Sequence, residues 1–157
     1  MWLLLSAIFV LILLNGFFAC AELAVLKSRR SRMQELAETG QDSAKLVLQL
    51  QENSDRFLAT VQIGITVVGA TAAALGGVGS VGLLKPAIEH LPSEMLQQVA
   101  EIVAVGTVIL TISYLSLVLG ELFPKSLALR NPEKMALWVV RPIYLLSPLV
   151  SSGIRPL

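Results

Sequence analysis

Three long apolar stretches, separated by polar ones, organise the chain. They cover residues 1–26, 56–84 and 96–123. A helix needs about 20 residues to cross the hydrocarbon core of a bilayer, and each stretch is longer than that. The pattern therefore predicts three transmembrane helices.

A polar stretch over residues 31–53 joins the first two predicted spans. Its apolar positions recur at helical spacing on both sides of Gly40, which marks a turn. Asp42 or Ser43 is placed to cap the segment that follows. We expect a pair of short helices here, on the cytoplasmic surface.

The apolar character of residues 132–150 is broken by Arg141, Pro142 and Pro148. A fourth span is the alternative, but these interruptions favour a juxtamembrane helix at the membrane interface, with Trp138 at headgroup level. The sequence thus predicts one interfacial helix after the third span.

The composition agrees with a membrane protein. Of the 157 residues, 55% are hydrophobic and 15% are charged, and the mean hydropathy is +0.74. Soluble domains average roughly a quarter charged residues, so this chain calls for a lipid solvent. The net charge is +1 and basic residues are not interleaved with aromatics, so nucleic acid is not an expected partner. We predict an all-α membrane protein in the lipid bilayer.

The chain offers little for catalysis. Cys20 is its only cysteine, and His90, in a short connecting loop, is its only histidine. Neither a Cys/His zinc site nor a plausible nucleophile–base pair can be built from them. We expect that the protein is not an enzyme.

Basic residues are distributed unevenly about the predicted spans. Six lie between the first and second spans, five follow the third, and one lies between the second and third, so eleven of the twelve share one side. Such an excess marks the cytoplasmic side. We predict a multi-pass protein of the plasma (inner) membrane, with its N-terminus outside and its C-terminus in the cytoplasm. The eleven are Lys27, Arg29, Arg30, Arg32, Lys45, Arg56, Lys125, Arg130, Lys134, Arg141 and Arg155.

Two carboxylates, Glu22 and Glu121, fall within the predicted spans, near their cytoplasmic ends. An acid at such a depth usually faces a partner or a watery cavity. Pro124 is expected to end or bend the third span and, because it lacks an amide hydrogen, to free the carbonyl of Gly120. A carboxylate beside a free carbonyl offers the hard oxygen ligands that Mg²⁺ and Ca²⁺ use.

Simple ion pairing is the alternative for both acids. Lys125 follows Glu121 by one helical turn, and Lys27 and Arg29 follow Glu22 closely. In that case the two acids would be structural.

Neutral polar groups lie in the first two spans. Gln62 and Thr66 are four residues apart and so share a helix face, and Gly64 between them could let the helix open and expose its carbonyls to a cation. Packing by interhelical hydrogen bonds is the alternative for both. Asn15, alone in the first span, is more typical of such a hydrogen bond than of a ligand.

Three motifs resemble the transmembrane domain of the CNNM/CorC family, also labelled hemolysin-C-like. They are "LNGFFACAELAVLKSRRSRMQEL", "LATVQIGITVVGA" and "LGELFPKSLALRNPEKMA", and together they extend over nearly the whole chain. The resemblance implies a homodimer of three-span protomers and Mg²⁺ export, proposed to be driven by Na⁺. It also implies cytoplasmic CBS domains, which this chain does not contain.

The resemblance carries over to particular positions. It implies that Glu121 is the acid of the ion site, with Gly120, Pro124 and Lys125 around it. Asn15 and Glu22 match the family motif of the first span.

Three positions depart from the family pattern. Ala19 and Ala21 stand where many members have serine, and Ile65 stands where many have asparagine. Gln62 and Thr66, or backbone carbonyls at the bend of the first span, are the available replacements for the missing ligands.

Three hypotheses follow. The leading one is a divalent-cation transporter domain with Glu121 as the main charged ligand, Gln62 and Thr66 as neutral ligands, and Glu22 as a ligand or a gate. The second keeps the fold but changes the substrate to a polyamine (a diamine) or to Na⁺ alone. The third is a non-transporting membrane anchor and dimerisation module for cytoplasmic regulatory domains.

Overall fold

The computed structural model of the protein describes residues 2–88 and 94–151, and His90 therefore lies outside the described residues. Side chains at 78, 80–88, 94, 95, 97 and 145–151 are also outside the description. The helices are α1 (Trp2–Lys27), α2 (Arg30–Glu38), α3 (Asp42–Glu52), α4 (Ser54–Ile88), α5 (Glu94–Leu117), a π-helical turn (Val118–Leu122), α6 (Phe123–Arg130) and α7 (Pro132–Ser151).

Three stretches of helix are long and apolar enough to cross a membrane, in the residues that the structure describes. They are Trp2–Lys27, Ser54–Gly77 and Gln98–Arg130. The prediction of an all-α membrane protein with three spans is therefore confirmed. α7 is not among them, and its helix runs without interruption through Pro142 and Pro148.

α1 occupies the centre of the bundle. It contacts α4, the π-helical turn, α6 and α7, and α4 in turn contacts α5. Ala19 and Ala21 have no exposed surface, because they face neighbouring elements at close range. The alanines at these two positions therefore serve packing.

The core lies at one end of the bundle, where α1, α3, α4 and α7 meet. Burial of the apolar side chains of this core stabilises the contacts between the spans and the short helices. Its largest fully buried side chains are those of Met33, Val25, Val47, Val61, Val139, Val140 and Ile143.

The third span does not end at Phe123, which corrects the expected effect of Pro124. The helix passes through the π-helical turn and continues in α6 to Arg130. The Phe123 amide donates to the Val118 carbonyl, five residues back, which defines the wider turn. Widening the helix just before the proline lets the chain continue where a regular α-helix would clash with the ring.

The short helices join as expected at Gly40, which has φ +89°, a region that glycine reaches without steric cost. The expected cap is wrong. α3 begins at Asp42 itself, and its N-cap is Gln41, whose side chain makes no capping hydrogen bond. Asp42 instead pairs with Lys45 at 3.1 Å.

Side chains fasten the short helices to the spans. The Gln51 Nε2 of α3 donates to the carbonyls of Val25 and Ser28, both at 2.9 Å, at the end of α1. Arg141 of α7 donates to the Ser43 hydroxyl at 3.0 Å. Carbonyls at a helix C-terminus lack intrahelical donors, so Gln51 satisfies groups that α1 leaves open.

Candidate functional site

A cavity of about 270 Å³ lies between α1, α4, α5 and the π-helical turn. Its α4 wall is made of small residues, Gly69, Ala72, Ala73 and Gly76, which leave the space open. A single water needs only about 10–15 Å³ of such volume, so the cavity has room for an ion with part of its water. Its polar lining residues are Asn15, Ser113, Ser116 and Glu121.

Asn15 joins α1 to the third span and faces this cavity. Its Nδ2 donates to the Gly120 carbonyl at 3.1 Å, and the side chain is buried. Gly120 is the residue whose carbonyl Pro124 leaves without its usual donor, so Asn15 replaces the missing amide. The Asn15 Oδ1 is buried with no hydrogen-bond partner in the described part of the protein. Water does not reach this oxygen in the present conformation, so it becomes a ligand for a cation in the cavity only if the Asn15 amide turns toward the cavity.

Lys125 lies between the two acids of the spans. Its ammonium is 2.8 Å from a carboxylate oxygen of Glu121 and 3.8 Å from one of Glu22. The alternative of a Glu121–Lys125 ion pair is therefore present in the structure. Two carboxylates therefore share one ammonium. None of the three side chains is fully buried.

The predicted partners of Glu22 are replaced. Neither Lys27 nor Arg29 pairs with it in the described residues; Lys125 of the third span does. Arg29 binds Glu133 at 3.0 Å instead. The first and third spans are thus linked by charge beside the cavity, a link that sequence neighbours alone did not indicate.

Gln62 and Thr66 share a face of α4 but do not line this cavity. Both are exposed, and the Thr66 hydroxyl donates to the Gln62 carbonyl at 2.8 Å. α4 is continuous over Gly64, without the opening considered from the sequence. Gly64 instead receives the Phe18 ring, since a Cβ there would lie 3.0 Å from it. Ile65 is partly buried beside the core.

Two further hydroxyls that were not predicted from the sequence also line the cavity. They are those of Ser113 and Ser116, and neither was among the predicted ligands. Within the described residues neither hydroxyl makes a hydrogen bond to its own helix, unlike Thr107 and Thr111. The two serines are three residues apart and so share a helix face, and the π-helical turn brings Glu121 to the same face. That spacing is the sequence signal that could have identified them.

The acidic groups alone do not form a metal cluster. Among the described residues, no group of three or more His, Cys, Asp or Glu side chains is close enough to hold a metal ion. A cation in this cavity would therefore meet one carboxylate and several neutral oxygens.

The family model of the cyclin M transmembrane N-terminal domain (CNNM) matches residues 6–157. The chain belongs to this family. The CNNM resemblance drawn from the three motifs is thereby confirmed. CNNM proteins are of the transporter type and not enzymes, in agreement with the expectation from the sequence.

Individual relatives agree with the CNNM assignment. The chain is 38% identical to UPF0053 protein sll0260 of Synechocystis over 144 residues, 92% of this chain, and 33% identical to UPF0053 protein YugS of Bacillus subtilis over 145 residues, 88% of this chain. It is also 31% identical over 149 residues, 92% of this chain, to a protein of Haemophilus influenzae named polyamine export protein. The chain spans about a third of the length of each, from 32% to 34%.

Proposed function

We propose that this CNNM domain carries a cation through the cavity beside Glu121, as the membrane part of a Mg²⁺ exporter coupled to Na⁺. The observation that supports this most directly is that Glu121 and Asn15 line the same cavity. Both are hard oxygen ligands, and the hydroxyls of Ser113 and Ser116 add two more.

A transporter must release what it binds. Mg²⁺ prefers six oxygens in octahedral geometry and gives up its water reluctantly. One carboxylate with neutral oxygens would leave several waters on the ion and bind it weakly, which suits a carrier better than a storage site.

Lys125 is suited to act as an internal competitor for the ion. Its ammonium contacts Glu121 at 2.8 Å, and Glu22 offers a second carboxylate at 3.8 Å from the same ammonium. An entering cation that takes Glu121 would displace Lys125 toward Glu22. Glu22 and Lys125 would then form the gate, and Glu121 the ligand.

The test is Mg²⁺ flux into or out of vesicles that contain the intact protein. Glu121→Gln keeps the shape of the side chain and removes its charge, and we expect flux to fall about tenfold or more, as for the loss of one charged contact. Glu133→Gln, an acid outside the cavity, is the control and should keep its flux. Unchanged Mg²⁺ flux in a folded Glu121→Gln protein would contradict the proposal.

Export of a diamine is a second candidate function. It is favoured by the similarity to the Haemophilus influenzae polyamine export protein and by a cavity whose lining is mainly apolar around one acid. An alkyl diamine would place one ammonium on Glu121 and its methylenes along the α4 wall. Thermal protection of the purified protein by cadaverine but not by Mg²⁺ would favour this function over Mg²⁺ export.

The remaining features of the intact protein are part of the same proposal. A homodimer, cytoplasmic CBS domains and the inner membrane with the N-terminus outside are the arrangement that the family resemblance and the basic residues favour. A non-transporting anchor and dimerisation module would have the same helices. Absence of flux for Mg²⁺, Na⁺ and diamines in vesicles with the intact protein would leave that third hypothesis standing.

A further inference from the structure

A second concavity lies on the opposite side of α1 from the cavity. It is an apolar groove of about 640 Å³ between α1, the end of the third span and α7. Asn15 lines the cavity while Gly16, the next residue, lines the groove, so α1 separates the two. The two spaces can therefore be tested independently.

The walls of this groove, hereafter the α1–α7 groove, are apolar and uncovered. Trp138 is 69% exposed and Phe123 57% exposed. Trp138 is held edge-on against Phe17, with ring centroids 6.2 Å apart, so its position is defined by packing. In a membrane protein such a surface is wetted by acyl chains, and tryptophan is typical of the headgroup boundary.

One charged residue, Lys134, lines the α1–α7 groove in the described part of the chain. Its ammonium makes no ion pair there, and the adjacent Glu133 is engaged by Arg29 at 3.0 Å. Lys134 also lies in the first turn of α7, where the helix end adds positive potential. The apolar walls of the groove suit the acyl chain of an anionic lipid, and the unpaired Lys134 ammonium suits its headgroup.

We propose that the α1–α7 groove binds one anionic phospholipid, with an acyl chain along its apolar walls and the phosphate at Lys134. Basic pockets beside membrane helices are a known means of selecting anionic headgroups. A second copy of the chain is a poorer occupant. A two-fold interface centred on this groove would bring the two Lys134 side chains together, and like charges would oppose it. The inference does not depend on which cation is transported.

The experiment uses Trp138 as a reporter. Trp2→Phe removes the other tryptophan of the chain and leaves Trp138 as the only one. The protein is reconstituted in phosphatidylcholine vesicles, and a fixed small fraction of lipid is replaced by chain-brominated phosphatidylglycerol or by chain-brominated phosphatidylcholine. Bromine quenches tryptophan on contact. We expect an apparent affinity about fivefold higher for the phosphatidylglycerol, the preference given by one lysine near an anionic headgroup.

Three variants decide the result. Lys134→Gln should remove the preference, and Lys134→Arg should retain it because the charge remains. Lys27→Gln, an exposed lysine at the end of α1 outside the groove, should leave the preference unchanged. Equal quenching by the two lipids in the parent protein would overturn the proposal, since the groove would then be ordinary lipid-facing surface. Absence of quenching by either lipid would also overturn it, because a protein partner would then cover Trp138.

Discussion

Gly16 brings α1 against the third span at a distance that no larger residue would permit. A Cβ at this position would lie 2.8 Å from the Pro124 Cγ and 3.2 Å from the Leu119 carbonyl oxygen. Gly120 is also closely packed, since a Cβ there would lie 3.2 Å from the Asn15 Nδ2 and 3.3 Å from the Ile12 carbonyl oxygen. Small residues at a helix contact allow such an approach, which here places Asn15 within reach of Gly120.

Gly16→Ala should therefore destabilise the protein. The added methyl would overlap the proline ring and the adjacent backbone, and overpacking of this kind costs about 1–3 kcal/mol. The measurement is thermal unfolding of the purified protein in detergent. Gly106→Ala is the matched control, because nothing lies within 4 Å of a Cβ there, and it should be neutral or slightly stabilising. Equal melting temperatures for the two variants would show that the close contact is not needed.

The sequence located some site residues and could not locate others. Glu121 stands out because an acid in an apolar helix is costly, and Asn15 because a buried amide needs a partner. Gln62 and Thr66 were correctly placed on one face of α4, but spacing does not say toward which neighbour that face turns. Which way that face turns goes with contacts such as that of the Phe18 ring on Gly64, which joins residues distant in the sequence.

At the scale of elements, polar contacts fasten the first half of α7 to its neighbours. Glu133 in its first turn binds Arg29, and Arg141 binds Ser43. Its length was predictable from the apolar pattern, but its continuity through Pro142 was not. A proline breaks an isolated helix strongly, whereas here burial of Val139, Val140 and Ile143 stabilises the helix around it.

The contact between α7 and Arg29 should depend on pH. The hydrogen bond from its own backbone amide, followed by that from the Arg29 side chain, lowers the pKa of Glu133 below its ordinary value of 4.5. Because the folded pKa is the lower one, the stabilisation is complete above pH 4.5 and is lost as the pH falls through the folded pKa.

Glu133→Gln should consequently lower the melting temperature at pH 7, and the difference from the parent protein should shrink as the pH falls below 4.5. The effect at pH 7 is expected to be small, at most about 1 kcal/mol, since Arg29 is largely exposed and surface ion pairs contribute little. Glu38→Gln controls for charge removal, as Glu38 is exposed and has no ion pair among the described residues. A Glu133→Gln difference that persists unchanged at pH 3 would exclude the ion pair as its cause.

At the scale of the whole molecule, the three spans follow directly from hydropathy. Composition and length suffice for that, because a bilayer demands long apolar helices whatever their detailed packing. The α1–α7 groove and the cavity could not be predicted from the sequence, because each depends on how several helices are rotated about their axes.

The orientation of the spans remains a prediction that thiol labelling can test. The chain has one cysteine, Cys20, which is 8% exposed and can be replaced by alanine to give a background without thiols. In intact cells, a membrane-impermeant reagent should label His90→Cys, in the predicted outer connection, and should not label Lys45→Cys. Both should react after the cells are opened. Labelling of Lys45→Cys alone in intact cells would show that the topology is the opposite of the predicted one.

The π-helical turn has a consequence for how the third span is encoded. An α-helix advances by about 100° per residue, so a turn with one residue more rotates everything after it by that angle relative to a regular helix. Ser113 and Ser116 before the turn and Glu121 within it then border the same cavity, while Phe123 and Leu127 after it border the groove. Deleting one codon in this turn would leave a regular α-helix whose two halves keep nearly their present rotation, because the turn accommodates one residue more than an α-helical turn. Cavity and groove would keep their flanking linings, and the cost of the deletion would fall on Pro124, whose ring a regular helix cannot accommodate.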